Sequence, residues 1–476
     1  MMKRIRTKFN SLSAAKKSSV AFMFASFIQH GMGFLITPLF TRLLSTADFG
    51  LVTVYNSWVE IIGTVAMLSL SSGMFNVGMM DYEDNRDGFT SALLGISNIA
   101  TIITVSVFYA ASLVFPEVVK IPKNLFVLMF LYFIFQPAMR FWTARQRFEY
   151  KYKALTLVTI GSTVLSPVIG ILCVLANDSN LGVIRLWGTN SVLIVFGIAF
   201  YIYTMRKNCR LFDRKIWAYA LKFSIPLLPH YLSMHLLAAS DRVMIQSMIG
   251  ASEAAIYGLA YTASMTICTA WTAIQGSLTP YVYDKLKKDE LDEIQPVAIP
   301  CIAIFSIMCI AVVVMAPEVI WLLGGEKYAE SVSLIPPIIA AVLFMEMYNL
   351  FSMIEFYHKK TIRIMLATLT AAIINIVMNY FVIRKFGYQA AAYTTLICYA
   401  LYTVFHYLNM RRIEPRKIYD IRFLVVFSAM YTAACLGCLL IYPYPILRYG
   451  IACVIGLLVL INRKKIMQKV RVKKLS

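Results

Sequence analysis

Apolar stretches of about twenty residues recur along this chain, and that recurrence decides what it can fold into. A bilayer core of about 30 Å takes about 20 residues of helix. Reading from the start, such spans fall at about 18–39, 51–79, 89–114, 124–139 and 154–176. They continue at about 183–204, 218–240, 252–281, 297–323 and 331–356, and close at about 363–383, 387–409, 421–442 and 445–462. Backbone groups in lipid must be satisfied within the segment, and these runs are too long and too continuously apolar for barrel strands. The expectation is an all-α integral membrane protein with about 14 transmembrane helices. Composition agrees: 59% of the 476 residues are apolar and 14% charged, against about 45–50% and about 25% in soluble chains. The basic stretch Met1–Val20 resembles the start of a secretory signal. The apolar run continues past Phe34 without a small-residue cleavage site, so it reads as a retained first helix.

The formal net charge of +21 invites a nucleic-acid reading, but the basic residues sit in short clusters between apolar runs with no recognition motif. The positive-inside rule accounts for them. With the first end inside, alternate loops hold Arg42, Lys120, Lys123, Arg185, Arg242, Lys327, Arg384, Lys385 and Arg448, leaving 36 of the 45 Lys and Arg residues on the other side. That asymmetry places both termini in the cytoplasm. The acidic loop Asp81–Asp87 does not alter it, since acidic residues contribute little to orientation. Loops of roughly 10–15 residues leave no room for a soluble catalytic domain, and no P-loop, GxGxxG or histidine-rich tract is present. The chain therefore reads as a non-enzyme with no catalytic residues, cofactor or metal. Cys435 and Cys438 form a CxxC inside a predicted membrane helix, where packing explains them better than redox chemistry.

A shift of 205 residues aligns His30 with His235, Asp48 with Glu253, and Gly182 with Gly387. This predicts two six-helix parallel repeats, an N-lobe at 1–205 and a C-lobe at 206–410, around a central cavity, with two extra helices and a basic tail at 411–476. Parallel repeats suit alternating access.

Ionisable and amide side chains at membrane depth are costly and become the functional candidates. They are Gln29, His30 and Arg42 of the first helix; Asn56 and Glu60, four apart on one face of the second; Lys222, His230, His235 and Arg242 of the seventh; Glu346 and Asn349 of the tenth; and Asn375 and Asn379 of the eleventh. Blander roles stand beside these. Lys222 can snorkel to the headgroups, Arg42 and Arg242 can anchor the rim, Asp241 with Arg242 can be a solvated pair, and the two asparagines can join helices. Pro226 and Pro229 predict a bend in the seventh helix, read as a gating element.

Several segments carry a resemblance. TRLLSTADFGL at Thr41–Leu51, KFSIPLLP at Lys222–Pro229, Ser240–Met244, AIYG at Ala255–Gly258, Ala316–Ile320, Tyr328–Glu330, and NIVMN at Asn375–Asn379 running to Gly387 and Ala390–Ala392 resemble polysaccharide and lipid-linked oligosaccharide flippases. These form the Wzx-like family of the multidrug/oligosaccharidyl-lipid/polysaccharide (MOP) superfamily. The resemblance implies a flippase of undecaprenyl-pyrophosphate-linked oligosaccharides in the bacterial cytoplasmic membrane, serving O-antigen, capsule or exopolysaccharide synthesis. It implies membrane lipids, a polysaccharide polymerase and a chain-length regulator as partners, and no nucleic acid. On that reading His30, Arg42, Lys222, His230, His235 and Arg242 make a cationic cavity for the pyrophosphate. Gln29, Asn56, Glu60, Glu346, Asn349, Asn375 and Asn379 serve sugars or coupling. The first helix lacks the carboxylate expected of cation-coupled drug exporters in this superfamily, which leaves small-molecule efflux as the alternative.

Overall fold

A computed structural model describes residues 14–71, 74–454 and 456–457, and among these there is no strand. Contacts divide the chain into two compact units, Met1–Ala239 and Ser240–Ser476, with the boundary inside one helix.

The first unit contains α1 (Ala14–Leu43), α2 (Thr46–Ala66), α3 (Met74–Asp81), α4 (Arg86–Val114), α5 (Lys123–Phe148), α6 (Tyr152–Leu175), α7 (Leu181–Lys207) and α8 (Arg214–Ser224). The helix α9 (Leu228–Met248) crosses into the second unit. There follow α10 (Ala251–Met265), α11 (Cys268–Lys288), α12 (Gln295–Val314), α13 (Ala316–Gly324), α14 (Ile335–Tyr357), α15 (Thr361–Phe386), α16 (Ala390–Ile413), α17 (Ile421–Ile441) and α18 (Pro445–Val454). Among the described residues nine helices are long and apolar enough to cross a membrane. The other expected spans coincide with α1, α8–α9, α10–α11, α16 and the short α18, which fall outside that measure.

Three departures from the sequence pattern bear on function. The span expected at 51–79 is interrupted: α2 ends at Ala66, and Leu68 and Ser69 take left-handed φ values of 49° and 47°. No proline lies there; the turn instead delivers Leu70, Met74 and Phe75 into the core, where Phe75 stacks on Phe141 at 5.3 Å. The span expected to stop at 139 continues as α5 to Phe148. Arg145 within it is neutralised by Asp87 at 2.5 Å and Glu149 at 2.8 Å, so the helix runs on where the apolar count ends. In the seventh span a 3₁₀ turn over Ile225–Leu227, containing Pro226, separates α8 from α9, because proline supplies no N–H to the preceding turn.

Local capping fixes the corners of the first unit. Ser45 Oγ accepts from the Asp48 N–H at 3.0 Å and starts α2. Asp48 Oδ1 in turn accepts from the Gly182 N–H at 2.9 Å, tying the start of α2 to the start of α7. A Cβ on Gly182 would lie 2.8 Å from the Asp48 carbonyl oxygen. Asp213 caps α8 through the Lys215 and Ile216 N–H groups at 2.9 and 3.2 Å, and these bonds, Ile216 foremost, hold its carboxyl below the usual range. α6, α7 and α5 approach closely at glycines. A Cβ on Gly188 would stand 3.0 Å from Gly170 Cα, and one on Gly197 2.8 Å from the Phe135 carbonyl, the small-residue packing that membrane helices use where apolar side chains alone give little drive.

The second unit closes around α14, buried along most of its length. Asp420 starts α17 by accepting from the Arg422 N–H at 3.0 Å, and Tyr431 Oη donates to the Ile339 carbonyl at 3.1 Å. α18 is clamped separately. Arg448, 4% exposed, donates to both oxygens of Glu318 on α13 at 2.8 and 2.7 Å, and Tyr449 Oη donates to Glu318 at 2.9 Å.

Candidate functional site

The polar hollow of the first unit is built by five helices. α1 contributes Gln29, Gly33, Ile36, Thr37 and Phe40, spaced at three and four residues and so on one face. α2 adds Val52 and Asn56, four apart; α5 adds Tyr132, Gln136 and Arg140; α6 adds Ser162, Thr163 and Ser166; α7 adds Arg185, Leu186, Thr189, Asn190 and Leu193. The cavity measures about 640 Å³, enough for a small polar headgroup. Among the described residues no carboxylate lines it.

Its charge comes from two arginines. Arg140 is exposed and its Nε donates to Gln136 Oε1 at 2.7 Å, an i, i+4 pair that aims the guanidinium. The Arg185 guanidinium lies 3.8 Å over the Phe40 ring and 5.2 Å from that of Phe49, so two aromatic faces brace it. Around them Thr189 Oγ1 donates to the Arg185 carbonyl at 2.8 Å, and Ser166 Oγ to the Thr189 carbonyl at 2.8 Å. The chemistry on offer is two permanent cations beside amides and hydroxyls: a seat for an anion carrying hydroxyl-rich substituents.

The expected residues distribute unevenly. Gln29 and Asn56 line this cavity; Arg42, Lys222, His230 and His235 are not among its lining residues. The side chain of His30 lies outside the described residues. Glu60, exposed, and Arg140 are the charges that act on the half-buried His235. Arg42, Lys222, Pro226 and Pro229 are exposed, and His230 is half-buried against the Tyr231 ring.

In the second unit the expected residues are interior. Arg242, placed by the sequence reading in a cationic cavity with a solvated rim pair as the alternative, is 9% exposed. Its N–H donates to Asp241 Oδ1 at 2.8 Å and its guanidinium sits 4.4 Å from the Tyr261 ring. Asp241, 1% exposed, also accepts from Tyr257 Oη. Asn375 and Asn379 are fully buried: Asn375 Oδ1 accepts from Asn379 Nδ2 at 3.2 Å, and Asn379 Oδ1 from the Thr394 hydroxyl. Asn349 Nδ2 donates to the buried Glu346 at 2.7 Å. The sequence pattern gives no weight to Arg140, which the apolar count assigns to a loop, or to Arg185, which it assigns to a rim. The available signals were the Gln136–Arg140 spacing and the Arg185–Thr189–Leu193 stripe on α7.

Comparison with known proteins defines first the class and then the family. The chain matches the inward closed conformation of the lipid II flippase MurJ with a TM-score of 0.64 at 13% identity, covering 94% of this chain and 100% of that one. It matches an inward-facing multidrug resistance MATE family transporter of the MOP superfamily with a TM-score of 0.58 at 12% identity, covering 82% and 95%. A mutant form of the Vibrio cholerae MATE transporter VcmN gives 0.52 at 14% identity over 87% and 99%. The chain shares the fold of these solved membrane proteins. Residues 15–284, more than half of the chain, match the model of the polysaccharide biosynthesis protein family, and the chain belongs to that family. A protein of the Lsg locus of Haemophilus influenzae is 24% identical over 149 residues, a match spanning 29% of this chain and 37% of that relative.

Proposed function

We propose that the chain is a flippase that moves undecaprenyl-pyrophosphate-linked oligosaccharide repeat units from the cytoplasmic to the outer leaflet, for surface polysaccharide assembly. The observation that carries the reading is the pair Arg140 and Arg185 set among amides and hydroxyls in a cavity of about 640 Å³. A lipid-linked sugar has a tail that is at home in the bilayer and an anionic head that is not. The head needs cations for its phosphates and amide and hydroxyl groups for its sugars. Arg140 and Arg185 fit the first need, with Gln29, Asn56, Gln136 and Asn190 fitting the second. Arg42, Lys222, His230, His235 and Arg242 remain candidates for steps before or after this seat, and Pro226 with Pro229 for the gate. Lobes at 1–205 and 206–410, about fourteen crossings and cytoplasmic termini complete the picture of alternating access. Translocation asks no covalent chemistry of the protein.

The test is genetic. In a polysaccharide-producing bacterium with no redundant flippase, removing the protein leaves the lipid-linked repeat unit on the cytoplasmic leaflet; normal outer-leaflet delivery sinks the reading. Likeness to MATE folds favours the second reading, efflux of small amphipathic cations. Against it stands the absence of a carboxylate among the described residues lining the arginine cavity, where a cation would need one. Loss of drug resistance on deletion, with polysaccharide intact, would reverse the order of the two.

A further inference from the structure

The second unit encloses an acid–base pair that the proposed function leaves idle. Glu355, in the last turn of α14, and His406, within α16, are both 0% exposed. His406 Nδ1 and Glu355 Oε2 are 3.0 Å apart. The ring of Tyr402 meets the imidazole edge-on at 4.5 Å, and that of Tyr348 lies at 5.3 Å. The far atoms of the pair, Glu355 Oε1 and His406 Nε2, are buried with no hydrogen-bond partner among the described residues, as is Asn409 Nδ2 one turn along α16. Ionisable groups inside membrane-spanning helices are expensive and mark function by default. Buried polar atoms without partners ask for an occupant.

The surroundings narrow what that occupant can be. From α16 Tyr402 faces Glu355, with its hydroxyl 2.8 Å from Thr368 of α15. Arg363 of α15 is held on Asn409 Oδ1 at 3.3 Å. Beyond the end of α14, Glu414 is bonded to Arg416 at 2.8 Å. The other helices around α14 aim their titratable groups elsewhere: Tyr261 of α10 acts on Tyr399, Cys268 of α11 on Glu346, Tyr283 of α11 packs on Tyr357, and Cys309 of α12 pairs with Tyr431 of α17. No second carboxylate and no lysine is recorded against the pair among the described residues, so it lacks the donors for a metal ion. What fits is a proton.

A carboxyl and an imidazole in contact are jointly neutral with one proton between them, whichever atom carries it. Taking that proton away leaves a bare carboxylate, and adding a second leaves a bare imidazolium, each in a buried setting that penalises net charge. Exchange therefore requires water to reach the pair. We propose that Glu355 and His406 form a proton-binding site. Exchange runs through water that reaches the unpartnered Oε1 and Nε2. The proton leaves as hydronium, with Glu355 ionised and His406 neutral, and uptake reverses the step. The proposal goes beyond the cavity reading and does not depend on what the cargo is.

The test uses the full-length chain in nanodiscs and infrared difference spectra recorded across about pH 5–8, the range in which imidazole chemistry operates. The wild type is expected to show coupled pH-dependent bands, one from a carboxyl and one from an imidazole. Both are expected to be lost in Glu355→Gln, with the carboxyl band altered in His406→Gln. Each replacement keeps a hydrogen-bonding amide, and thermal unfolding checks that the variants are folded. A wild type with no such bands, or a folded variant in which they are unchanged, overturns the proposal and leaves the pair as a static hydrogen bond. Because no lipid-linked cargo enters the experiment, failure of the flippase reading would not produce either result.

Discussion

The two units use polar residues in opposite ways. In the first, Arg140 and Asn56 are exposed to a cavity, and Arg185 is held against aromatic rings beside it. In the second, Asp241, Arg242, Asn375 and Asn379 are buried, with Asp241 bonded to Tyr257 and Asn375 to Asn379. The first unit lines a cavity with its polar groups; the second buries these groups in its interior. The same residue types, at similar cost in an apolar chain, are therefore expected to fail differently when replaced.

Asp241→Ala should give the largest effect. It strips the carboxylate from Arg242 and Tyr257 at once, and breaking a buried pair of this kind costs about 3–5 kcal/mol. The measurement is the denaturation midpoint in detergent; a drop equal to that of an exposed substitution would erase the contrast between units. Next come Arg140→Ala and Arg185→Ala. Each removes a charge-assisted hydrogen-bond donor worth about 1.5–3 kcal/mol to an anionic ligand, or roughly 10- to 100-fold in affinity. Polysaccharide export should fall while the amount of folded protein holds, and more sharply for the double variant. A loss of folded protein without loss of export per molecule would place these arginines with the second unit's structural pairs.

A smaller effect concerns acid. Arg416 binds Glu414 at 2.8 Å and holds its carboxyl below the usual range. A carboxyl lowered in the folded state contributes stability that is complete above its unfolded value of about 4.3. That contribution is lost as pH falls through the lower, folded value. Glu414→Gln should lower the neutral plateau of the midpoint-against-pH curve and so flatten its acid limb, with little change at the acid end. The smallest effect is expected for Lys222→Gln: an exposed side chain away from packed features changes stability by about 0.5 kcal/mol or less, so a change in export here would speak for a cargo role rather than snorkelling.

Much of the fold was legible because lipid imposes a length and a composition that a sequence displays openly. Each expected apolar span overlaps helix among the described residues, although the one at 51–79 breaks after Ala66. The breaks were less legible. The stop after Ala66 rests on two left-handed residues, Leu68 and Ser69, and neither is of a type that announces such a turn. The site was least legible. Hydropathy records how costly a side chain is in lipid, not which neighbour relieves the cost. It sets Arg140 in a loop although α5 carries it into the cavity, and Arg242 at a surface although Tyr261 and Asp241 enclose it. Glu355 and His406 do not stand out because nothing local links residues 51 positions apart.

The clamp of Arg448 on Glu318 has a consequence in time. The two residues are 130 positions apart, and at about 5–20 residues per second a ribosome takes on the order of ten seconds to travel from one to the other. Glu318 thus enters the membrane environment well before its counter-ion exists. Any nascent chain or reporter fusion that ends before Arg448 presents that carboxylate unanswered. Fusions ending after Val454, with Arg448 in place, should therefore report the finished topology, whereas a ladder of fusions cut between Gly324 and Tyr444 should report a C-terminal half still waiting to close.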